Sequence, residues 1–161
     1  MKKLTYAILA FVLTVLNLTY ILAEGSLPSI VVQLQEALND LDSLQIDLKQ
    51  ESKEARTIAK RIRFLVGKIN GVVLFAQPNN CKKIGLIYIS QLEKTILRFD
   101  NKRCNNFSLR KYTVSRANAC ISGEVIDNFS PKLQESFQKV KSIFQIDENG
   151  DNIPDICETT N

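Results

Sequence analysis

The sequence predicts an all-α fold stapled by disulfides, and three observations carry that expectation. Apolar residues step by threes and fours over some forty positions from Leu27, the same spacing returns in later segments, and four Cys follow an apolar leader. The 161 residues, 45% hydrophobic and 24% charged, suit one domain around a single modest core.

The leader comes first. Lys2 and Lys3 precede an apolar run from Leu4 to Leu16, the plan of a secretory signal, with cleavage expected after Ala23 or after Gly25. The alternative is an uncleaved anchor, because Leu4 to Ala23 is just long enough to cross a bilayer. Both place the rest of the chain outside the cytoplasm, secreted, periplasmic or extracellular, where an even Cys count means disulfides. Residues 1–25 are therefore set apart as signal peptide or N-terminal anchor, 26–145 as a helical domain and 146–161 as a C-terminal loop and tail.

In the helical domain, Val31, Leu34, Leu38, Leu41, Leu48, Ala55, Ala59, Ile62, Val66 and Ile69 form one apolar seam, interrupted only at Gln45 and Ser52. The seam predicts one helix over about 28–69, roughly 60 Å long, with Pro28 in its first turn and Asn70-Gly71 at its stop. So long a helix needs a partner along its length, in a coiled-coil manner. Its acids (Glu36, Asp40, Asp42, Asp47) and bases (Arg56, Lys60, Arg61, Arg63, Lys68) lie about equally far from Ser52. Two arrangements satisfy that order: packing of the seam on later helices, or an antiparallel homodimer through residues 27–69 that sets acid against base.

Ile89, Leu92, Ile96 and Phe99 predict a helix over about 84–99, after a turn at Gln77-Pro78-Asn79-Asn80. The basic stretch from Asp100 to Arg116 has no period and reads as a solvated loop. A short helix is expected over about 115–128, broken near Gly123. Another is expected over about 131–145, where Ser130-Pro131 supplies the start and Leu133, Phe137, Val140 and Phe144 the apolar face. Cys81, Cys104, Cys120 and Cys157 allow three pairings. A helix over 84–99 holds Cys81 and Cys104 too far apart to bond easily, which leaves 81–120 with 104–157, or 81–157 with 104–120.

Composition excludes several functions. With no His, neither Ser-His-Asp nor Cys-His catalysis is available, nor a His-based zinc site, so a bound metal must be held by oxygen. Lys+Arg 21 against Asp+Glu 17 gives +4, and loss of Lys2 and Lys3 with the leader gives +2, which does not argue for nucleic acid.

One constellation carries chemistry. From Asp147 to Glu158 the chain places oxygen ligands at the first, third, fifth, ninth and twelfth positions: Asp147, Asn149, Asp151, Asp155 and Glu158. The seventh residue, Ile153, offers its backbone carbonyl. This is the spacing of a twelve-residue calcium loop, and the mixture of carboxylates and an amide suits calcium above magnesium. The sixth position requires positive φ and here holds Asn152, among the side chains that best accept it. With only Thr159-Thr160-Asn161 after the loop, a static structural site is expected and not an opening sensor.

The segment Asp147-Glu148-Asn149-Gly150-Asp151-Asn152-Ile153-Pro154-Asp155-Ile156-Cys157-Glu158 resembles the calcium loops of thrombospondin type 3 repeats and the related D-x-D-G-D-G-I-P-D repeats of bacterial extracellular proteins, and is EF-hand-like in its spacing. It departs from that pattern at Asn149 and Asn152, and covers about a dozen residues. The resemblance implies calcium held through Asp147, Asn149, Asp151 and Asp155, with a nearby Cys in a disulfide.

The functional expectation is an exported, non-enzymatic interaction module with one structural calcium site and an unknown protein partner, in contact with membrane only if the leader is retained. The alternatives are a secreted hydrolase using carboxylate acid/base catalysis, with Glu93 or Glu124 as candidates, and a self-assembling or inhibitor-like helical bundle.

Overall fold

The computed structural model describes residues 27–49, 51–104 and 119–159. The leader, most of the basic stretch and residues 115–118 of the third predicted helix lie outside the described residues. The described chain is all-α: α1 (Leu27–Leu48), α2 (Lys53–Phe75), α3 (Pro78–Asp100) and α4 (Gly123–Ile143), closed by a 3₁₀ turn at Asp155–Cys157. Each helix packs on its chain neighbour and α4 returns to α1. Cross-contacts run antiparallel: Arg63 with Asp42 at 3.9 Å, Arg98 with Glu54 at 2.6 Å and Lys141 with Glu93 at 3.1 Å. The result is an up-down-up-down four-helix bundle.

The all-α class and the disulfide staples are as predicted, but the element bounds differ. In place of one helix over 28–69, the chain folds back between Leu48 and Lys53. Ser52 takes an extended conformation (φ −124°, ψ 167°) and its Oγ accepts from Ala55 N at 3.1 Å, capping α2. Arg56 Nε donates to Lys49 O at 3.2 Å and so covers a carbonyl left open just past the end of α1. The order of acids and bases about Ser52 is thereby met within one chain, because the fold-back lays the acidic helix beside the basic one. Leu34, Leu38 and Leu41 on α1 and Ala55, Ala59, Ile62 and Ile69 on α2 are all buried in the bundle, which puts the seam of 27–69 inside a single chain. Each fully buried leucine or isoleucine there contributes roughly 1.5–3 kcal/mol.

α2 runs past Asn70-Gly71 to Phe75, since Val73 continues the buried face. Gln77 is extended (ψ 151°) ahead of Pro78, and Pro78 opens α3, which begins six residues before the predicted start at 84. In the last helix the predicted break at Ser130-Pro131 does not occur, and the two expected helices are one. Val125 and Ile126 before the proline share a buried face with Leu133 and Phe137 after it, while Pro131 itself is exposed. The Asp127 carbonyl that loses its helical partner therefore lies on an exposed residue. Gly123 is not a break but the first residue of α4, capped by Ser122 Oγ accepting from Val125 N at 3.3 Å. The approach to that cap is held by paired bonds, Cys104 N to Ile121 O and Ile121 N to Lys102 O, both 2.8 Å.

Candidate metal centre

The loop from Asp147 to Glu158 is built on the end of the bundle formed by the start of α3 and the end of α4. Cys157 is bonded to Cys81 in the first turn of α3, and Cys104 to Cys120 at the opposite end. This is the second of the two pairings left open by the sequence. Ile156 and Cys157 are fully buried and Pro154 is buried, so the outgoing half of the loop is anchored in the core. Asp155 N donates to Ile146 O at 2.9 Å and ties the two ends of the loop together.

Within the loop, the side chains at the first, third and fifth positions fold over backbone N–H groups ahead of them. Asp147 accepts from Gly150 N at 2.8 Å through Oδ1 and from Asn152 N at 2.9 Å through Oδ2. Asn149 Oδ1 accepts from Asp151 N at 3.0 Å, and Asp151 Oδ1 from Ile153 N at 2.7 Å. The last two are successive Asx turns, the local geometry that short polar side chains offer a tight coil, while Asp147 reaches three and five residues ahead and draws the coil together. The backbone has positive φ at Gly150 (73°) and at Asn152 (68°). Asn152 therefore adopts the left-handed conformation expected at the sixth position, where asparagine substitutes for glycine at small cost.

The remaining predicted residues are placed less uniformly. The Asp155 carboxylate accepts from Glu148 N at 3.2 Å, and Glu158 Oε2 accepts from the Asn149 amide at 3.0 Å. Ile153 packs partly against the core. Loss of water around the Glu158 carboxyl, followed by the nearby Asp151 and Asp155 carboxylates, raises its pKa above the ordinary value, against the lowering effect of the Asn149 amide. Among the described residues no three Asp, Glu or Cys side chains are already grouped as a metal shell. Sequence reasoning missed Lys82, whose Nζ donates to the Asn152 carbonyl. Seventy residues separate the two, and no local pattern signals the contact.

The carboxylates suggested for acid/base chemistry are not brought together. Glu93 is paired with Lys141, while Glu124 lies in the first turn of α4, about 26 Å along the axis from Lys141.

Over the described residues, fold and site together define a disulfide-stapled four-helix bundle with an Asx-turned acidic loop locked to one end. No protein-family model, curated protein or solved structure matches the chain. The two disulfides suit an oxidising compartment, and among the described residues no helix is long and apolar enough to cross a membrane.

Proposed function

We propose that the chain is an exported, non-enzymatic interaction module whose C-terminal loop takes one structural calcium ion. The observation that carries the reading is the backbone of the loop. Positions three and five form Asx turns, position one accepts from the N–H groups of positions four and six, and positions four and six have positive φ, in the spacing of a twelve-residue calcium loop. The ligands would be Asp147, Asn149, Asp151, the Ile153 carbonyl, Asp155 and Glu158, with Glu158 released from the Asn149 amide. Calcium would also relieve the mutual repulsion of Asp151, Asp155 and Glu158. The Cys81–Cys157 bond supports the reading by fixing the loop to α3, so that less order has to be gained on binding.

Calorimetric titration of the oxidised protein with calcium tests this. One saturable site, absent from the Asp147→Ala, Asp151→Ala variant, is the expected result. No heat up to millimolar calcium would reduce the loop to an acidic cap.

A further inference from the structure

Charge is distributed unevenly over the bundle. α2 and α3, adjacent and antiparallel, carry ten Lys and Arg against three acids. α1 carries four acids and no base, and the stretch from Phe144 to Thr159 carries five acids and no base. Exposed apolar side chains follow the basic layer. Of the eight large ones exposed among the described residues, Phe64, Leu74, Phe75, Leu86, Ile87 and Leu97 belong to α2 and α3.

The two properties coincide on one face. Thr57, Arg61, Phe64, Lys68 and Phe75 share one stripe of α2 by helical spacing, and Lys83, Ile87, Gln91, Lys94 and Arg98 share one stripe of α3. The stripes adjoin across an open groove of about 400 Å³ to which Thr57, Arg61, Gln91, Lys94, Thr95 and Arg98 contribute, none of them an acid. Arg61 donates only to a neutral acceptor, Gln91 Oε1 at 2.6 Å. The Phe64 ring lies 5.2 Å from the Arg61 guanidinium and 5.5 Å from Lys68 Nζ. Among the described residues no ion pair involves Lys68, Lys83 or Lys94. Arg98 is partly neutralised by Glu54.

We propose that this α2–α3 face docks on the surface of an anionic lipid bilayer, with Arg61, Lys68, Lys83 and Lys94 at the phosphates and Phe64, Phe75 and Ile87 at the acyl boundary. Charge complementarity selects an anionic partner, and the interleaved apolar side chains select among anionic partners. A soluble polyanion satisfies the cations but leaves Phe75, 86% exposed, and its neighbours in water. A bilayer interface takes both, because lysine and arginine stems lie along apolar surface while their heads reach the phosphates. Such contact is peripheral and needs no spanning helix. The proposal rests on the chain being an interaction module and is independent of its calcium loop.

The chain has no Trp, so one introduced Trp is a unique local reporter on the full-length oxidised protein. Phe64→Trp and Phe75→Trp should shift to the blue, and be quenched by brominated acyl chains, with vesicles of equal phosphatidylglycerol and phosphatidylcholine but not with phosphatidylcholine alone. Ile46→Trp on α1 should not respond. Replacing Arg61, Lys68 and Lys94 by Gln should weaken the anionic-vesicle response about a hundredfold. Three results overturn the proposal: no response at positions 64 and 75, an equal response at position 46, or a response to heparin or an oligonucleotide that lipid cannot displace. The effect should be the same in calcium and in chelator, which separates failure of this face from failure of the calcium site.

Discussion

The bundle interior and the C-terminal loop meet at Cys157, yet they are held by different means. In the bundle, side chains such as Leu41, Leu65, Phe99 and Phe137 are completely removed from water, and the helices satisfy their own backbone groups. In the loop, only Pro154, Ile156 and Cys157 are buried, and the backbone is turned by Asp147, Asn149 and Asp151 accepting from N–H groups a few residues ahead. The first is a nonlocal, apolar construction and tolerates change at many single surface positions. The second is local and polar, and depends on one covalent tie to stay registered on the bundle.

Cutting that tie should have the largest effect. Cys81→Ser with Cys157→Ser opens a loop of sequence separation 76, against 16 for Cys104–Cys120. Chain-entropy arguments put the losses at about 4.5 and about 3 kcal/mol respectively. Urea unfolding of the two double variants should preserve that order, and amide exchange should show residues 147–158 losing protection only in the first. Leu41→Ala tests the opposite side of the comparison. It should cost about 3 kcal/mol by removing a fully buried side chain, while leaving the Asx turns of the loop protected to the same relative degree. Equal loosening of loop and bundle in both experiments would mean that they are one cooperative unit.

The contrast also explains which features are legible in the sequence. The periodic apolar residues announced the helical stretches though not their ends, because burial of one face is a property of spacing alone. The positive φ at Asn152 was legible for a related reason: the turns around it are made by side chains bonding within five residues of themselves. What escaped was decided elsewhere in the chain. Leu48 and Ala55 both belong to the buried seam, so the apolar period continues across the fold-back between them. Ser52, which interrupts the seam, is the cap that makes the turn. Pro131 looks like a helix start, and only the packing of residues on both sides of it carries α4 through. The choice between two disulfide pairings required knowing which ends of α3 and α4 lie together.

Glycines provide a smaller test, at the junction of the two regions. A Cβ on Gly85 would stand 2.5 Å from Cε1 of Phe144, the residue that ends α4 and leads into the loop. Gly67 and Gly71 on α2 have nothing within 4 Å of that position. Gly85→Ala should therefore destabilise the protein by about 1–2 kcal/mol through overpacking. Gly67→Ala and Gly71→Ala should each stabilise it by about 0.5–1 kcal/mol through the higher helix propensity of alanine. Thermal unfolding of the three single variants distinguishes the cases by sign.

The smallest effect, and the sharpest on the comparison, is that of pH, because a carboxylate in each region responds in the opposite direction. Glu54, with a side chain only 15% exposed, is pushed up by burial, but Arg98 and Lys102 outweigh that and hold its pKa below the ordinary value. A lowered folded pKa contributes stability above the unfolded value, lost as the pH falls through the folded one. Glu158 has a raised pKa, so its contribution is present below the ordinary glutamate value and is lost as the pH rises through the folded one. Acidification from neutral should therefore loosen the α2–α3 contact at Glu54 while tightening the calcium-free loop at Glu158. Amide exchange at α2's first turn and at residues 147–158 should move in opposite senses, with Glu54→Gln abolishing the first response and Glu158→Gln the second. If calcium takes the loop, its addition should reverse the second response, since protons and the cation then compete for the same oxygens. Parallel movement of both regions in calcium-free buffer would show that loss of water and the Asp151 and Asp155 carboxylates do not set the behaviour of Glu158.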